Sequence, residues 1–385
     1  MTDDFGLDGM FTLSDEKLGA RMNVHVNTPA RIGKIGAVLI AVSVATASLV
    51  GVGTATAQQS TGSTGSFDFG SSVPEIFRDD PGPLPVLRDD IVTPAIVGEE
   101  HVGVQASRLT VSSPALKRDV GVEVLLPADN SVPRPTLYML QGVDGGEGSN
   151  GWVTMGGAPA FFADKNAYVV MINGGSASLF SDWENEDPAL GLHKWETFIA
   201  KELPPLIDAH FGTNGVNAIA GTSMGAQGAM MLAHRYPDLY RGVAVFSGCY
   251  STMDTWGRTS VQATITSRGG DPANMWGELG GSEWEAHDSV LNAERLRGKE
   301  IYISTANGAP GADETLQTPE LLERLVVGGG IEAAAKVCTK VFDQRLRSLD
   351  IEATVDYEPN GTHAWAYWRE RLPKAWPTLS KALGV

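Results

Sequence analysis

The hydrophobic positions of this chain form short apolar runs that alternate with longer stretches in which apolar residues recur at helical spacing. The apolar runs predict strands at 108–112, 120–126, 136–140, 167–172, 242–247, 301–305 and 352–357, with one more beginning at Asn217. Helical spacing predicts helices at 193–211, 224–235, 318–327 and 331–349, and a final one after His363. Strands that alternate with helices are typical of an α/β fold with a mostly parallel central sheet and helices on both faces.

Proline and glycine divide these helical stretches. Pro204 and Pro205 predict a break or kink within 193–211, and three consecutive glycines at 328–330 predict a boundary between two separate helices. Residues 249–285 alternate poorly and contain scattered aromatic residues. We interpret them as a cap over the carboxyl edge of the sheet, where α/β proteins place their sites.

One five-residue turn connects an apolar run directly to an amphipathic helix. It reads Gly-Thr-Ser-Met-Gly at 221–225, which is the Gly-x-Ser-x-Gly pattern of a nucleophile elbow. Glycine and serine are common in turns, so a chance match has to be considered, but the strand–turn–helix context favours Ser223 as a nucleophile. The loop after the strand at 136–140 should then supply a second oxyanion donor. We expect the backbone N–H groups of Val143 and Met224 to fill that role.

A serine hydroxyl needs a base to take its proton and an acid to orient that base. In chains with this elbow the order is serine, acid, histidine. Of the histidines that follow Ser223, only His363 lies directly after a strand near the end of the chain, so His363 is the predicted base. Order and spacing leave the acid open among four carboxylates, Asp313, Glu314, Glu320 and Glu323.

The composition excludes several other classes of function. A formal net charge of −17 would repel a nucleic acid. The chain has no His-Glu-x-x-His motif and no cysteine cluster, so no metal is expected. The glycines at 146–151 match Gly-x-Gly-x-x-Gly, but no amphipathic helix follows them as a dinucleotide site requires. We therefore expect no cofactor.

The N-terminal part of the chain has the pattern of an export signal. Arg31 and Lys34 precede an apolar stretch at 35–52, and Ala55-Thr56-Ala57 follows it. We interpret 1–57 as a signal peptide with an extended or spurious N-terminus. Residues 58–90 are predicted to be a flexible linker and an extended arm, and 91–385 to form one catalytic domain. We expect the protein to be a monomer.

From about Leu137 onward, the chain resembles the antigen 85-type mycolyltransferases and their corynebacterial relatives. The resemblance rests on six motifs: Ser181-Asp182-Trp183, Lys194-Trp195-Glu196-Thr197-Phe198, Gly221–Gly225, Met275-Trp276-Gly277, Leu291-Asn292 and Gly361-Thr362-His363-x-Trp365-x-Tyr367-Trp368.

This resemblance implies an α/β-hydrolase fold with Ser223 and His363 as nucleophile and base. The family's acid lies in a Phe-Leu-Glu context, which Leu321-Leu322-Glu323 matches, so the resemblance selects Glu323. Well-studied members have Asp-Gly-Leu-Arg in the oxyanion loop, with the Asp and Arg near the acceptor sugar. Here the loop reads Gln141-Gly142-Val143-Asp144, and we expect Gln141, Asp144 and Trp365 to contact substrate.

The implied activity is that of an exported acyltransferase with a Ser-Glu-His triad. It would move a mycolyl chain from trehalose monomycolate to a second such molecule or to cell-wall arabinan, at the cell envelope and in contact with outer-envelope lipid. The alternatives are a secreted carboxylesterase or thioesterase that uses water, and a catalytically silent surface protein.

The chain contains two cysteines, Cys249 and Cys338. Because the chain is expected to be exported to an oxidising environment, we predict that they form a disulfide. Two separate buried thiols are the alternative.

Overall fold

The computed structural model describes residues 83–146 and 150–385. The predicted signal peptide, 1–57, lies outside the described residues, and so does most of the predicted linker and arm. The described part of that arm, 83–90, contains no strand or helix and is exposed to solvent. Within the described ranges, no helix is long and apolar enough to span a membrane.

The centre of the fold is one sheet, in which the described residues supply nine strands. In chain order they are β1 Ala95–Gly103, β2 Ala106–Ser113, β3 Arg118–Leu125, β4 Thr136–Leu140, β5 Tyr168–Ile172, β6 Asn217–Thr222, β7 Tyr240–Phe246, β8 Glu300–Thr305 and β9 Thr354–Tyr357. Their spatial order is β1-β2-β3-β5-β4-β6-β7-β8-β9. The pairs from β5 to β9 are all parallel, whereas β1, β2 and β3 are joined to them by antiparallel pairings.

Helices within the described residues surround the sheet. They are α1 Gly151–Thr154, α2 Ala158–Phe162, α3 Trp195–Thr197, α4 Leu203–Phe211, α5 Met224–Arg235, α6 Thr255–Thr266, α7 Ala273–Trp276, α8 Ser282–Ala286, α9 Leu321–Glu323, α10 Gly329–Ser348 and α11 Trp365–Leu383. Single π-helical turns, Phe198–Glu202 and Arg324–Gly328, precede α4 and α10, and a 3₁₀ turn covers Ala293–Leu296.

Two apolar cores form because alternate residues of a strand point to opposite faces of the sheet. In β4, Tyr138 and Leu140 join the core shared with α4, α5 and α10, while Leu137 and Met139 join the core shared with α1, α2 and α11. The strands from β4 to β8 are buried on both faces, as expected for a parallel sheet covered by helices. The predicted α/β-hydrolase fold is therefore confirmed.

The structure corrects two details of the secondary-structure prediction. Strand β1 was not predicted, because this edge strand is largely exposed and has no apolar run. The glycines at 328–330 do not separate two helices. Gly329 begins α10, and a Cβ atom on it would lie 2.7 Å from the carbonyl oxygen of Gly308. The glycines therefore permit a close approach of helix and loop rather than a break. The predicted interruption near Pro204 is observed as the π-helical turn before α4.

The predicted disulfide is confirmed. Cys249, which follows β7, is bonded to Cys338 of α10, with their Cα atoms 4.9 Å apart. The bond ties the middle of α10 to the carboxyl edge of the sheet.

Candidate active site

The elbow residue Ser223 lies between β6 and α5 in a strained backbone conformation, with φ 56° and ψ −122°. The two glycines of the motif are required by contact distances. A Cβ on Gly221 would lie 2.1 Å from the carbonyl oxygen of Gly225, and a Cβ on Gly225 would lie 2.4 Å from the carbonyl oxygen of Gln141. The tight turn presents Ser223 at the carboxyl edge of the sheet, at the N-terminus of α5.

Ser223, His363 and Glu332 are hydrogen-bonded in series. The Ser223 Oγ atom lies 2.7 Å from His363 Nε2, and His363 Nδ1 lies 2.9 Å from Glu332 Oε2. The two contacts use opposite nitrogens of the imidazole ring. This is the geometry in which a histidine can accept a proton from a serine while a carboxylate holds the ring in the required tautomer.

His363 lies in the loop after β9, and hydrogen bonds to two other segments fix the position of this loop. The His363 backbone N–H donates to the carbonyl of Gly328 at 3.1 Å, in the π-helical turn that precedes α10. The adjacent Thr362 hydroxyl donates to Glu314 at 2.7 Å. Glu314, whose side chain is 1% exposed, also accepts hydrogen bonds from the Gly311 N–H and the Tyr367 hydroxyl. The position of the histidine thus depends on the first turn of α10 and on a buried carboxylate.

Glu332 is fully buried and surrounded by donors. Its Oε1 atom accepts from the Ala306 N–H at 2.6 Å, the Ser247 hydroxyl at 2.8 Å and the Thr305 hydroxyl at 3.2 Å. Arg371 Nη1 lies 3.4 Å from the same oxygen. Burial by itself raises the pKa of Glu332, but the hydrogen bond to His363 and the positive charges nearby outweigh it and hold the pKa below its ordinary value.

The predicted acid, Glu323, does not contact His363. Glu323 lies exposed on α9, and Glu332 occupies the position beside the imidazole instead. Glu314 supports the neighbouring threonine, and neither Asp313 nor Glu320 reaches the histidine among the contacts of the described residues. The physical reason is the uninterrupted helix: because the glycines continue into α10, its first turn carries Glu332 to the sheet edge.

A signal for Glu332 was present in the sequence. Not every apolar residue of 331–349 lies on the buried face, because Ile331 and Val337 are 47% and 37% exposed. The buried face includes Glu332, Ala335, Cys338, Phe342 and Leu346, at helical spacing. Placing Cys338 against Cys249 at the end of β7 would have oriented this face, and Glu332 with it, toward Ser223.

The loop predicted to carry an oxyanion donor lies beside the nucleophile. A Cβ on Gly142 would lie 3.7 Å from Ser223 Cβ. The carbonyl of the next residue, Val143, accepts hydrogen bonds from the Ala177 N–H at 3.0 Å and the Ser176 hydroxyl at 3.2 Å, which fixes the orientation of the loop. Met224 is the first residue of α5, so its N–H has no acceptor within the helix.

The three predicted substrate contacts differ in their surroundings. Gln141 is buried, and its side chain accepts from the Gly151 N–H at 3.0 Å and donates to the Ile172 carbonyl at 3.3 Å. Its side chain therefore supports the loop, and its contact with a sugar stays a prediction. Asp144 is 76% exposed and accepts a hydrogen bond from Arg268 of the cap region at 2.5 Å.

Trp365 lies at the start of α11, two residues after His363. Its ring packs edge-on against Trp152, with 5.2 Å between centroids, and against Trp368, at 5.1 Å. The side chain is half-buried. Trp365 thus forms part of an aromatic wall next to the histidine, and its contact with substrate stays a prediction.

A second serine–histidine–glutamate cluster is buried next to α7 and α8. His287 Nε2 lies 3.3 Å from both Ser181 Oγ and Glu196 Oε2, and its Nδ1 lies 2.7 Å from the carbonyl of Glu283. Trp276 stacks on the histidine and donates to Ser181 at 2.8 Å. Because a single ring nitrogen faces both the serine and the glutamate, a proton cannot pass between them through the ring. The cluster connects α7 and α8 to the core.

The sheet order, the elbow and the serine–histidine–carboxylate series define an α/β hydrolase of the esterase class. In agreement with this, the chain matches the family model described as "Putative esterase" over residues 113–379. It therefore belongs to the esterase family, and within it to the antigen 85-type mycolyltransferases, as the following relatives show.

The diacylglycerol acyltransferase/mycolyltransferase Ag85A of Mycobacterium tuberculosis is 30% identical over 294 residues, which cover 74% of this chain and 83% of that protein. Ag85C of Mycobacterium leprae is 28% identical over 305 residues, covering 75% and 87%. Among solved structures, MPT51 (FbpC1) of M. tuberculosis has a TM-score of 0.62 at 25% identity and covers 73% of this chain and 100% of its own. An S-formylglutathione hydrolase from Agrobacterium tumefaciens, at 16% identity and a TM-score of 0.55, covers 75% and 99% and shares the fold.

Proposed function

We propose that this protein is an exported acyltransferase that moves a mycolyl chain from trehalose monomycolate to a second trehalose monomycolate or to cell-wall arabinan. The single observation that carries the proposal is the hydrogen-bonded series Ser223–His363–Glu332. Membership of the antigen 85-type family supports mycolyl transfer as the reaction. The proposed triad differs from the sequence prediction in its acid, which is Glu332 and not Glu323.

In the first step, Ser223 Oγ attacks the ester carbonyl carbon of the donor, and its proton moves to His363 Nε2. Glu332 stabilises the imidazolium that forms. The negative charge that develops on the carbonyl oxygen is held by the N–H groups of Val143 and Met224 and by the N-terminus of α5. The carbon–oxygen bond to trehalose then breaks, and the leaving oxygen takes the proton from His363. The acyl group remains on Ser223 as an ester.

In the second step, a hydroxyl group of the acceptor sugar gives its proton to His363 and attacks the acyl-serine carbonyl. Collapse of the second tetrahedral intermediate returns the proton to Ser223 and releases the new ester. Transfer exceeds hydrolysis when the acceptor hydroxyl is held in line and water is excluded. The aromatic rings of Trp152 and Trp365 are suited to that exclusion, and the rim formed by Asp144 and Arg268 offers hydrogen-bonding groups to a sugar.

Export is part of this proposal. The disulfide between Cys249 and Cys338 supports it, since disulfides persist in oxidising compartments. The site of action would be the cell envelope, where both the lipid donor and the arabinan acceptor are found.

Hydrolysis to free acid is the second candidate, and one observation favours it. Gln141, which stands where the family has an aspartate near the sugar, uses its side chain to bind the backbone of Gly151 and Ile172. An esterase would need the triad but not the sugar contacts.

Incubation of the purified protein with trehalose monomycolate, followed by chromatography of the lipids, tests the proposal. Trehalose dimycolate formed by the wild type but not by Ser223→Ala is the expected result. Free mycolic acid without dimycolate would replace the transferase by an esterase. No product at all, with Ser223 unlabelled by a fluorophosphonate, would contradict both.

A further inference from the structure

A buried arginine lies directly behind the proposed catalytic acid. We propose that Arg371 is a positioning residue of the active site, which opposes protonation of the Glu332–His363 pair and so extends the enzyme's activity to lower pH. The inference rests on the proposed function of this site, because it concerns the base that activates Ser223.

Arg371 is held against Glu332 by its surroundings. It lies on α11 and is 2% exposed. Its Nη1 atom lies 3.4 Å from Glu332 Oε1 and donates to the Ser247 hydroxyl oxygen at 3.2 Å. The guanidinium carbon lies 5.9 Å from the centroid of the Tyr367 ring. A Cβ on Gly361 would lie 3.2 Å from Nη2, so the guanidinium fits closely beneath the loop that carries His363.

The two carboxylate oxygens of Glu332 have different hydrogen-bond partners. Oε1 faces the arginine, the Ser247 hydroxyl and the Ala306 N–H, whereas Oε2 faces only His363 among the described contacts. Ser247 also accepts from Trp368 Nε1 at 3.0 Å, so its own orientation is fixed. Donors on Oε1 prevent rotation of the carboxylate and keep Oε2 directed at the imidazole. Arg371 contributes to this both directly and through Ser247.

The positive charge of Arg371 acts on proton uptake by Glu332 and His363, an effect that is separate from the hydrogen bonds Arg371 makes. Glu332 and His363 are hydrogen-bonded, so a proton that solvent supplies at low pH enters a site formed by both side chains. A fixed positive charge beside the pair disfavours the uptake of that proton, whichever of the two groups receives it. The unprotonated imidazole, which is the form that can accept the proton of Ser223, is therefore retained at lower pH.

Other ionisable groups also face this cluster. They are Glu314 on the loop before α9, Arg324 in the π-helical turn after α9, Tyr367 on α11, Tyr302 with Asp356 on β8 and β9, Tyr250 after β7, and the pair Glu358 and Lys374 at the surface. Each of these groups remains in place when only Arg371 is replaced. A comparison of variants at this one position therefore isolates the effect of its charge.

The experiment measures kcat/KM for a short p-nitrophenyl ester from acid to neutral pH. This quantity reports the protonation of the free enzyme. Arg371→Gln removes the charge, Arg371→Lys keeps it with a different shape, and Arg369→Gln is a matched control, because Arg369 is exposed on the same helix. We expect the midpoint of the acid limb to rise by about one pH unit in Arg371→Gln, the effect of losing one nearby charge. Arg371→Lys and Arg369→Gln should keep the midpoint of the wild type.

The outcomes separate a positioning role from a structural one. If Arg371→Gln lowers activity equally at all pH values and leaves the midpoint unchanged, the inference is wrong. If Arg371→Gln does not fold, as judged from its thermal transition, Arg371→Lys decides: a midpoint shifted in that variant overturns the inference, and an unshifted one supports it. Hydrolysis that survives in Ser223→Ala would instead reject the proposed active site. That result would differ from a failure of the Arg371 inference, in which Ser223→Ala is inactive and the midpoint does not move.

Discussion

Replacing Glu332 by glutamine removes the charge that faces His363 and leaves the size of the side chain almost unchanged. The glutamine oxygen can still accept from the Ala306 N–H and the Ser247 hydroxyl, which contact Oε1 in the wild type. Its amide NH₂ group would then face His363 Nδ1 and donate to it. That arrangement favours the tautomer with the proton on Nε2, which cannot accept the proton of Ser223.

The structure gives the size of the effect. Two unit charges about 4 Å apart interact by about 4 kcal/mol at an effective dielectric constant of about 20. The Glu332–His363 contact of 2.9 Å implies a charge separation of this order. Since about 1.4 kcal/mol corresponds to a factor of ten in rate, loss of the stabilised imidazolium lowers kcat/KM by about a thousandfold.

Steady-state hydrolysis of a p-nitrophenyl ester measures this loss, and Glu323→Gln is the matched control. Because Glu323 is exposed on α9, we expect its replacement to change kcat/KM by less than about twofold. Circular dichroism and thermal unfolding verify that both variants fold. Near-normal activity of Glu332→Gln together with strong loss in Glu323→Gln would refute the reasoning and restore the acid that the sequence indicated.

Three further predictions concern the disulfide, a buried histidine and the rim of the site. Replacing both Cys249 and Cys338 by serine should lower the free energy of unfolding by about 2–4 kcal/mol in urea titrations, because the bond closes a long loop; an unchanged midpoint would contradict this. Burial lowers the pKa of His193 to about 3, whereas a histidine in the unfolded chain has a pKa of 6.5. As the pH drops from 6.5 toward 3, the unfolded chain therefore takes up a proton before the folded protein does, and the free energy of unfolding falls. His193→Gln should reduce that slope in urea titrations at several pH values, and an equal slope in both proteins would show that His193 is not its source. Asp144→Asn should change the free energy of unfolding by less than about 1 kcal/mol, since Asp144 is 76% exposed beside Arg268. The same variant should transfer a smaller share of acyl groups to sugar and release a larger share as free acid, as measured by chromatography. A share equal to that of the wild type would exclude Asp144 from the acceptor site.

The sequence was most informative where burial and local geometry act together. The strands from β4 to β8 are buried on both faces, so each appears as a continuous apolar run. The elbow could be predicted because the contacts at Gly221 and Gly225 tolerate no side chain. The edge strand β1 could not, because its exposed residues impose no apolar pattern.

The sequence did not indicate the proposed acid, Glu332, for a different reason. A run of glycines has low helix propensity, so Gly328–Gly329–Gly330 was interpreted as the end of a helix. In the structure, contact with the Gly308 carbonyl and the hydrogen bond from His363 to Gly328 outweigh that preference. Tertiary contacts of this kind are not visible in a local sequence pattern. The same is true of Gln141, whose buried side chain is committed to two backbone groups.

In the proposed mechanism, Ser223 carries the acyl group between donor and acceptor. The most direct test of this step is mass spectrometry of the peptide containing Ser223, after brief incubation with trehalose monomycolate and acid quenching. We expect a peptide heavier by one mycolyl group in the wild type and an unacylated peptide in Ser223→Ala. A wild-type peptide without the acyl group, while transfer products accumulate at the same time, would contradict the covalent mechanism.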